Sequence, residues 1–418
     1  MPSASSVTFS RFASGVTTES AFDVLAVAKK LISQGKDVFE LEIGDSPFPS
    51  SPSAIPAAKA AMDAGECRYA PSAGLPELRA AAAKYMADEY GVQVTAENVV
   101  VGPGAKNFEQ LFMECFVDPG DGVLVFTPHF PTYPPNIARR GARMVTAVLS
   151  EENQFRPQMR DVKRFLASDP SPKAIVLNTP NNPTGGVATR DDLVALAELV
   201  RGRDIAIFSD EPYDRMVWTG KHETPIALPG MLDQCVSAYT MSKSYSMSGW
   251  RLGFAVSSQR NIQMLGKLTN TSISCVSPFT QRAGIAVLEH DHDSRENRMR
   301  QFHDRLVKLV EQLNAIDGVR CLMPAGAFYA FANVSEICRV NKIRSQGLAM
   351  YLLEEADPKT GVACLGGECF GEAGQGFLRL SVAEPPDRLE SAAKFMQQAF
   401  AHGDRIAGYL AKNPQYRL

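Results

Sequence analysis

The chain has 418 residues, 45% apolar and 21% charged, with 43 basic and 46 acidic side chains for a net charge of −3. That balance marks a globular protein and excludes a disordered chain and a basic surface for nucleic acid, and no apolar run approaches a membrane span. The length calls for a large domain with a second, smaller one.

Residues 1–18 are rich in Ser and Thr, with Arg11 as the one charge and no apolar run. They read as a flexible arm rather than a targeting segment. The eight cysteines include no C-x-x-C pair, which points to free thiols and a cytoplasmic setting. Residues 20–35 read as a helix. Ser20 is placed to cap it, and Phe22, Leu25, Ala28, Leu31 and Ile32 share one face before Gly35. The proline-broken stretch 44–53 then reads as a loop.

From about residue 95 to 257 the chain alternates. Apolar runs at Asn98–Val101, Val123–Phe126, Met144–Leu149, Ala174–Leu177, Ile205–Phe208, Cys235–Tyr239 and Leu252–Val256 read as strands. Helical patterns lie between several of them, one through Phe108, Leu111, Phe112, Cys115 and Phe116, another through Leu193, Leu196, Ala197 and Val200. Short apolar strands separated by helices imply a mostly parallel sheet covered on both faces, an α/β fold. Beyond residue 290 a charged helix (Ser294–Leu313), three short runs and a helix near Asp387–Ala401 read as a smaller α+β domain. The predicted division is 1–48 (arm and part of the small domain), 49–293 (large domain) and 294–418 (small domain). The tail after Gly403 has no assignment.

The phosphate-loop, nucleophile-elbow and H-E-x-x-H patterns are absent, and Gly102-Pro-Gly104 lacks the third glycine of a dinucleotide fingerprint. His290-Asp-His292 reads as a solvated helix end rather than a metal site, so no metal is expected. Ligands of parallel α/β sheets bind beyond the carboxyl ends of the strands, and four such ends carry chemistry. Asp210 follows a buried strand, where it needs a cation, a cap or a turn to satisfy it. Lys243 lies among Thr240 and Ser242 ahead of Arg251. It is either a surface lysine or an amine whose desolvation makes it a nucleophile. Asn178-Thr-Pro-Asn181-Asn182-Pro183 is a rigid loop or an ordinary Asn-Pro turn. Gly104-Ala105-Lys106 opens a helix, either a simple start or a phosphate cradle. Each has an ordinary reading alone. Together they specify an aldehyde cofactor with a phosphate and a pyridine ring, held on a lysine.

The ordered series N-N-P-T-G at 181–185, S-D-E-x-Y at 209–213, S-K at 242–243 and G-W-R-L-G at 249–253 resembles the class I/II aminotransferases, which are fold-type I pyridoxal 5'-phosphate (PLP) enzymes. Segments 67–79, 326–329 and 377–381 extend the likeness over nearly the whole chain. The resemblance implies a seven-stranded, mostly parallel mixed sheet sandwiched by helices, and a homodimer with shared active sites. It makes Lys243 the Schiff-base and proton-shuttle residue, Asp210 the partner of the ring nitrogen, and Tyr213 and Asn182 donors to the ring hydroxyl. Gly104, Ala105, Lys106, Thr240, Ser242 and Arg251 would surround the phosphate, and Phe130 would stack on the ring. Arg379 and Gly44, with Asn182, would meet the substrate carboxylate, and Tyr69 would reach the neighbouring subunit's phosphate. The implied activity is amino-group transfer from an L-amino acid to a 2-oxo acid by a ping-pong cycle. The alternatives are a β-C–S lyase on the same scaffold, or a non-catalytic domain of this fold. The N-terminal loop departs from the usual G-E-P-x-F, Leu365-Gly366-Gly367 departs from the usual P-G, and the stacking residue is Phe. The first two touch the substrate side.

Overall fold

The computed structural model describes residues 7–16 and 20–418. The capping side chain predicted at Ser20 and arm residues 1–6 and 17–18 lie outside the described residues. Thirteen strands occur among those described: β1 Asp37–Glu40, β2 Val99–Gly102, β3 Gly122–Thr127, β4 Arg143–Val148, β5 Pro172–Asn178, β6 Ala206–Asp210, β7 Cys235–Thr240, β8 Gly253–Val256, β9 Arg320–Cys321, β10 Tyr329–Asn333, β11 Thr360–Ala363, β12 Leu365–Gly366 and β13 Phe377–Ser381.

Seven of these form one sheet in the order β2-β8-β7-β6-β5-β3-β4. All its pairs are parallel except the two made by β8. This is the mixed, mostly parallel α/β sheet expected. The pleat splits its side chains between two cores. Leu124, Phe126, Ile175, Leu177 and Ile207 enter one core, and Val123, Val125, Ala174, Val176 and Phe208 the other. Helix Ala105–Phe116 covers the second face with Phe108, Leu111 and Phe112 buried, and helix Arg190–Val200 covers the first with Leu193, Leu196, Ala197 and Val200. The strand predicted over 144–149 is the sheet edge, and its Met144 and Val148 stay exposed.

A third core gathers helix His292–Asn314, the antiparallel sheet β12-β13-β10-β9, and the parallel pair β1-β11. Helix Ser20–Ser33 packs there through Val24 and Ala28, with Leu31 partly buried. The predicted face is therefore corrected: Phe22 and Ile32 are exposed. The helix is turned so that small Ala28 meets the core and Phe22 borders a cavity. The unassigned tail is also structural. Helix Gly403–Lys412 buries Ile406, Tyr409 and Leu410 in the same core, and Tyr409 Oη donates to Glu354 Oε2 at 2.7 Å. His290 and His292 stand exposed at the ends of adjoining helices.

Candidate active site

A cavity of about 460 Å³ opens at the carboxyl ends of β6 and β7. Its wall brings together Gly44, Ala105, Lys106, Phe130, Asn182, Asp210, Tyr213, Thr240, Ser242, Lys243, Arg251 and Arg379. Two predicted residues lie elsewhere. Gly104 stands just behind the wall, and Tyr69 points outward at 90% exposure.

Strand geometry explains which residues face the cavity. Asp210 ends β6 with the parity of Ala206 and Phe208, so it faces helix Ala105–Phe116. Tyr133 Oη donates to its Oδ2 at 2.6 Å, and Asn178 Nδ2 donates to its backbone carbonyl at 2.9 Å. Burial raises the Asp210 carboxyl above the usual range, and neighbouring Glu211 adds to this. The Tyr133 bond and the charges of Lys106 and Lys243 oppose the rise. Asn178 Oδ1 also accepts the Asn182 amide at 2.8 Å, so one side chain ties the Asn-Pro loop to the strand end.

Lys243 follows β7 and reaches across the cavity. Its Nζ donates to the Gly44 carbonyl at 2.5 Å. Burial lowers its pKa to about 8; Asp45 works against this, while Arg379, Arg251 and Lys106 reinforce it. Near neutral pH the amine therefore keeps a usable fraction of its nucleophilic form. Gly44 leaves room that a side chain would take, since a Cβ there would collide with the buried Tyr329 hydroxyl.

At one end of the cavity, the N-terminus of helix Ala105–Phe116 meets Thr240, Ser242 and Arg251. The Thr240 and Ser242 hydroxyls lie 2.9 Å apart. The Arg251 guanidinium is held by the carbonyls of Ser248 at 2.8 Å and Pro103 at 3.0 Å. Gly104 precedes the helix at φ +90°, and a Cβ there would come 3.0 Å from Arg251. Amide, hydroxyl and guanidinium donors converge here as an oxyanion cradle.

At the other end Arg379, on β13, is buried to 3% exposure. Nη1 donates to Asn182 Oδ1 at 3.0 Å, and Nη2 donates to the Glu42 carbonyl. The guanidinium lies over the rings of Tyr329 and Phe370, at 4.5 and 4.9 Å. No carboxylate among the described residues pairs with it, and its Nε has no hydrogen-bond partner. Tyr213 and Tyr329 share a hydroxyl–hydroxyl bond of 2.8 Å between this end and the cavity floor.

A family model described as "Aminotransferase class I and II" matches residues 36–395. The chain belongs to the class I and II aminotransferases. The aspartate aminotransferase of Pyrococcus horikoshii is 31% identical, over 88% of this chain and 92% of its own. The arginine–pyruvate transaminase of Pseudomonas aeruginosa is 31% identical, over 90% of this chain and 93% of its own. The solved aspartate aminotransferase of Thermus thermophilus with maleate has a TM-score of 0.87 at 30% identity, covering 94% of this chain and all of that one. The protein is thus an aminotransferase enzyme with the fold of that family. No helix among its described residues is long and apolar enough to cross a membrane.

The aminotransferase's cavity also uses residues the motif reading passed over. Glu109, Asp45, Ser248 and Phe22 line it, and Tyr133 supports Asp210 from behind. Glu109 had a signal: an acid beside an apolar helical stripe. Tyr133 had none, because its partner lies 77 residues away in sequence.

Proposed function

We propose that this aminotransferase holds PLP in the described cavity and moves an amino group from an L-amino acid to a 2-oxo acid in two half-reactions, a ping-pong cycle. One observation carries the reading. A single cavity presents a desolvated amine, a buried carboxyl and a buried guanidinium that pairs with no carboxylate among the described residues. The donor set fits the cofactor. The cradle suits a phosphate, Asp210 suits a protonated ring nitrogen, and Tyr213 and Asn182 offer donors to the ring hydroxyl. Phe130 supplies an aromatic face, and Lys106 already lies over it at 5.3 Å.

When bound, the cofactor supplies the electron sink for the bonding pair left at the substrate Cα. Lys243 holds the cofactor through its amine and, once released, moves the proton between Cα and the cofactor's C4′. Asp210, kept anionic by the cation it meets, holds the proton on the ring nitrogen. Arg379 binds the α-carboxylate by a two-point fork, and the Gly44 carbonyl borders the same space.

In this reading residues 49–293 form the cofactor domain, and 294–418 with 1–48 form the smaller one. Exposed Tyr69 fits a cytoplasmic homodimer in which each subunit completes the other's phosphate site. The relatives act on aspartate or on arginine and pyruvate by name, which supports an α-amino acid donor and a 2-oxo acid acceptor. The test is to mix the PLP-loaded protein with single amino acids, without oxo acid, and follow the visible spectrum. Bleaching of the cofactor band with stoichiometric oxo-acid release supports transamination. Multiple turnovers of pyruvate and ammonia with cystathionine would overturn it in favour of elimination.

A further inference from the structure

One acid on the cavity wall has no part in the roles above. Glu109 sits one turn into helix Ala105–Phe116, beside Phe108 and Phe112, at 1% exposure. A carboxyl there is costly unless its oxygens are bonded or its charge is removed. Thr132 Oγ1 donates to Glu109 Oε2 at 2.5 Å, and Asn136 Nδ2 donates to the same oxygen at 3.2 Å. The next residue after Thr132 is Tyr133, whose hydroxyl serves Asp210. Two adjacent residues thus bond two different buried acids.

The same short turn carries the ring face of the site. Phe130 lies edge-on to Tyr133, with ring centroids 6.0 Å apart, and the Tyr133 amide donates to the Phe130 carbonyl at 3.3 Å. Asn136 adds a second tether one turn along helix Tyr133–Arg139. Glu109 therefore tethers the chain on both sides of Tyr133, and Phe130 lies two residues ahead of the first tether. It is also electrically linked to Asp210: after burial, the Asp210 charge is the next cause holding the Glu109 carboxyl far above the usual range.

We infer that Glu109 is a positioning residue for the cofactor ring, clamping Thr132 and Asn136 so that Phe130 and Tyr133 stand against the ring and Asp210. The inference rests on the PLP reading. It is tested on apoprotein by titrating PLP against intrinsic fluorescence, and on loaded protein by the pH midpoint of the visible band. Glu109→Ala and Thr132→Val are expected to weaken PLP about tenfold and shift that midpoint, because a bond to a buried acid is lost. Glu109→Gln keeps an acceptor oxygen for both donors and is expected to restore affinity to within about twofold. Thr132→Val is isosteric, so it reports even where Glu109→Ala does not fold. Wild-type affinity and midpoint in Thr132→Val and in folded Glu109→Ala, with or without a lower Tm, would overturn the inference. Wild-type protein that takes up no PLP would overturn the cofactor reading itself, and with it the inference.

Discussion

Asp210 and Glu211 are neighbours at the end of one strand, yet they meet different chemistry. The pleat turns them to opposite faces of the sheet. Glu211 faces a closed network, with Tyr239 Oη donating at 2.8 Å, Thr224 Oγ1 at 2.9 Å and His222 Nε2 lying 2.6 Å away. Asp214, one turn on, takes the hydroxyls of Tyr85 and Tyr90 at 2.5 and 2.7 Å. Asp210 faces the cavity, where Tyr133 donates to it and the charges of Lys106 and Lys243 reach it. The first pair of acids is finished by protein groups. The third opens onto the cavity, as do the half-buried amine of Lys243 and Arg379, whose Nε has no hydrogen-bond partner. Polar groups that the fold buries without completing them are where a ligand completes the set.

The largest effect is expected at Lys243. Lys243→Ala should lower turnover by about 10⁴-fold or more, since nucleophile and proton shuttle go together. Substrate-depletion assays would check it, and full turnover would sink the role. The two acids should then separate cleanly. Asp210→Asn should cut kcat by about 10²–10³-fold, as the charge facing the ring nitrogen is lost, with little change in Tm. Glu211→Ala should destabilise by about 3 kcal/mol, because buried donors are left unpaired. Denaturant melts of both variants beside their kinetics break the comparison if Asp210→Asn is the less stable one.

The sequence showed the cavity side better than the closed side. Asp210, Lys243 and Asn182 follow apolar runs closely and Arg251 directly precedes one, so a local pattern pointed to them. The parity that separates Asp210 from Glu211 also follows from the strand period. What local pattern could not reveal depends on distant contacts. Tyr133 finds Asp210 across the sheet, Thr132 finds Glu109 on another helix, and the tail finds helix Ser345–Glu354. Phe22 misled because an apolar stripe does not say which of its members borders a cavity. Tyr69 followed no apolar run either, and its side chain stands exposed, away from the cavity of its own chain.

Smaller effects sharpen the contrast on the cavity side. Arg379→Lys should raise KM for the amino acid about 10–100-fold with a lesser fall in kcat, because an ammonium loses the two-point fork. Steady-state kinetics with a good donor would read it, and an unchanged KM would remove Arg379 from carboxylate binding.

The smallest expected effect is on stability and runs opposite to function. The Lys243 pKa is lowered from 10.5 to about 8 in the folded protein. Below pH 8 the amine is charged in both states, and the folded state bears the full cost of burying it. Between pH 8 and 10.5 the folded state loses its proton first, so the cost fades, and above 10.5 it is gone. Lys243→Met should therefore stabilise the cofactor-free protein at pH 7 by about 1–3 kcal/mol, and the gain should vanish by pH 10.5. Denaturant melts of wild type and variant at pH 7 and 10 would measure it. A variant no more stable at pH 7 would mean the cavity solvates the ammonium well, and that Lys243 is not held ready by desolvation. A gain that shrinks as pH rises would tie the residue's reactivity to a cost the closed network around Glu211 does not carry.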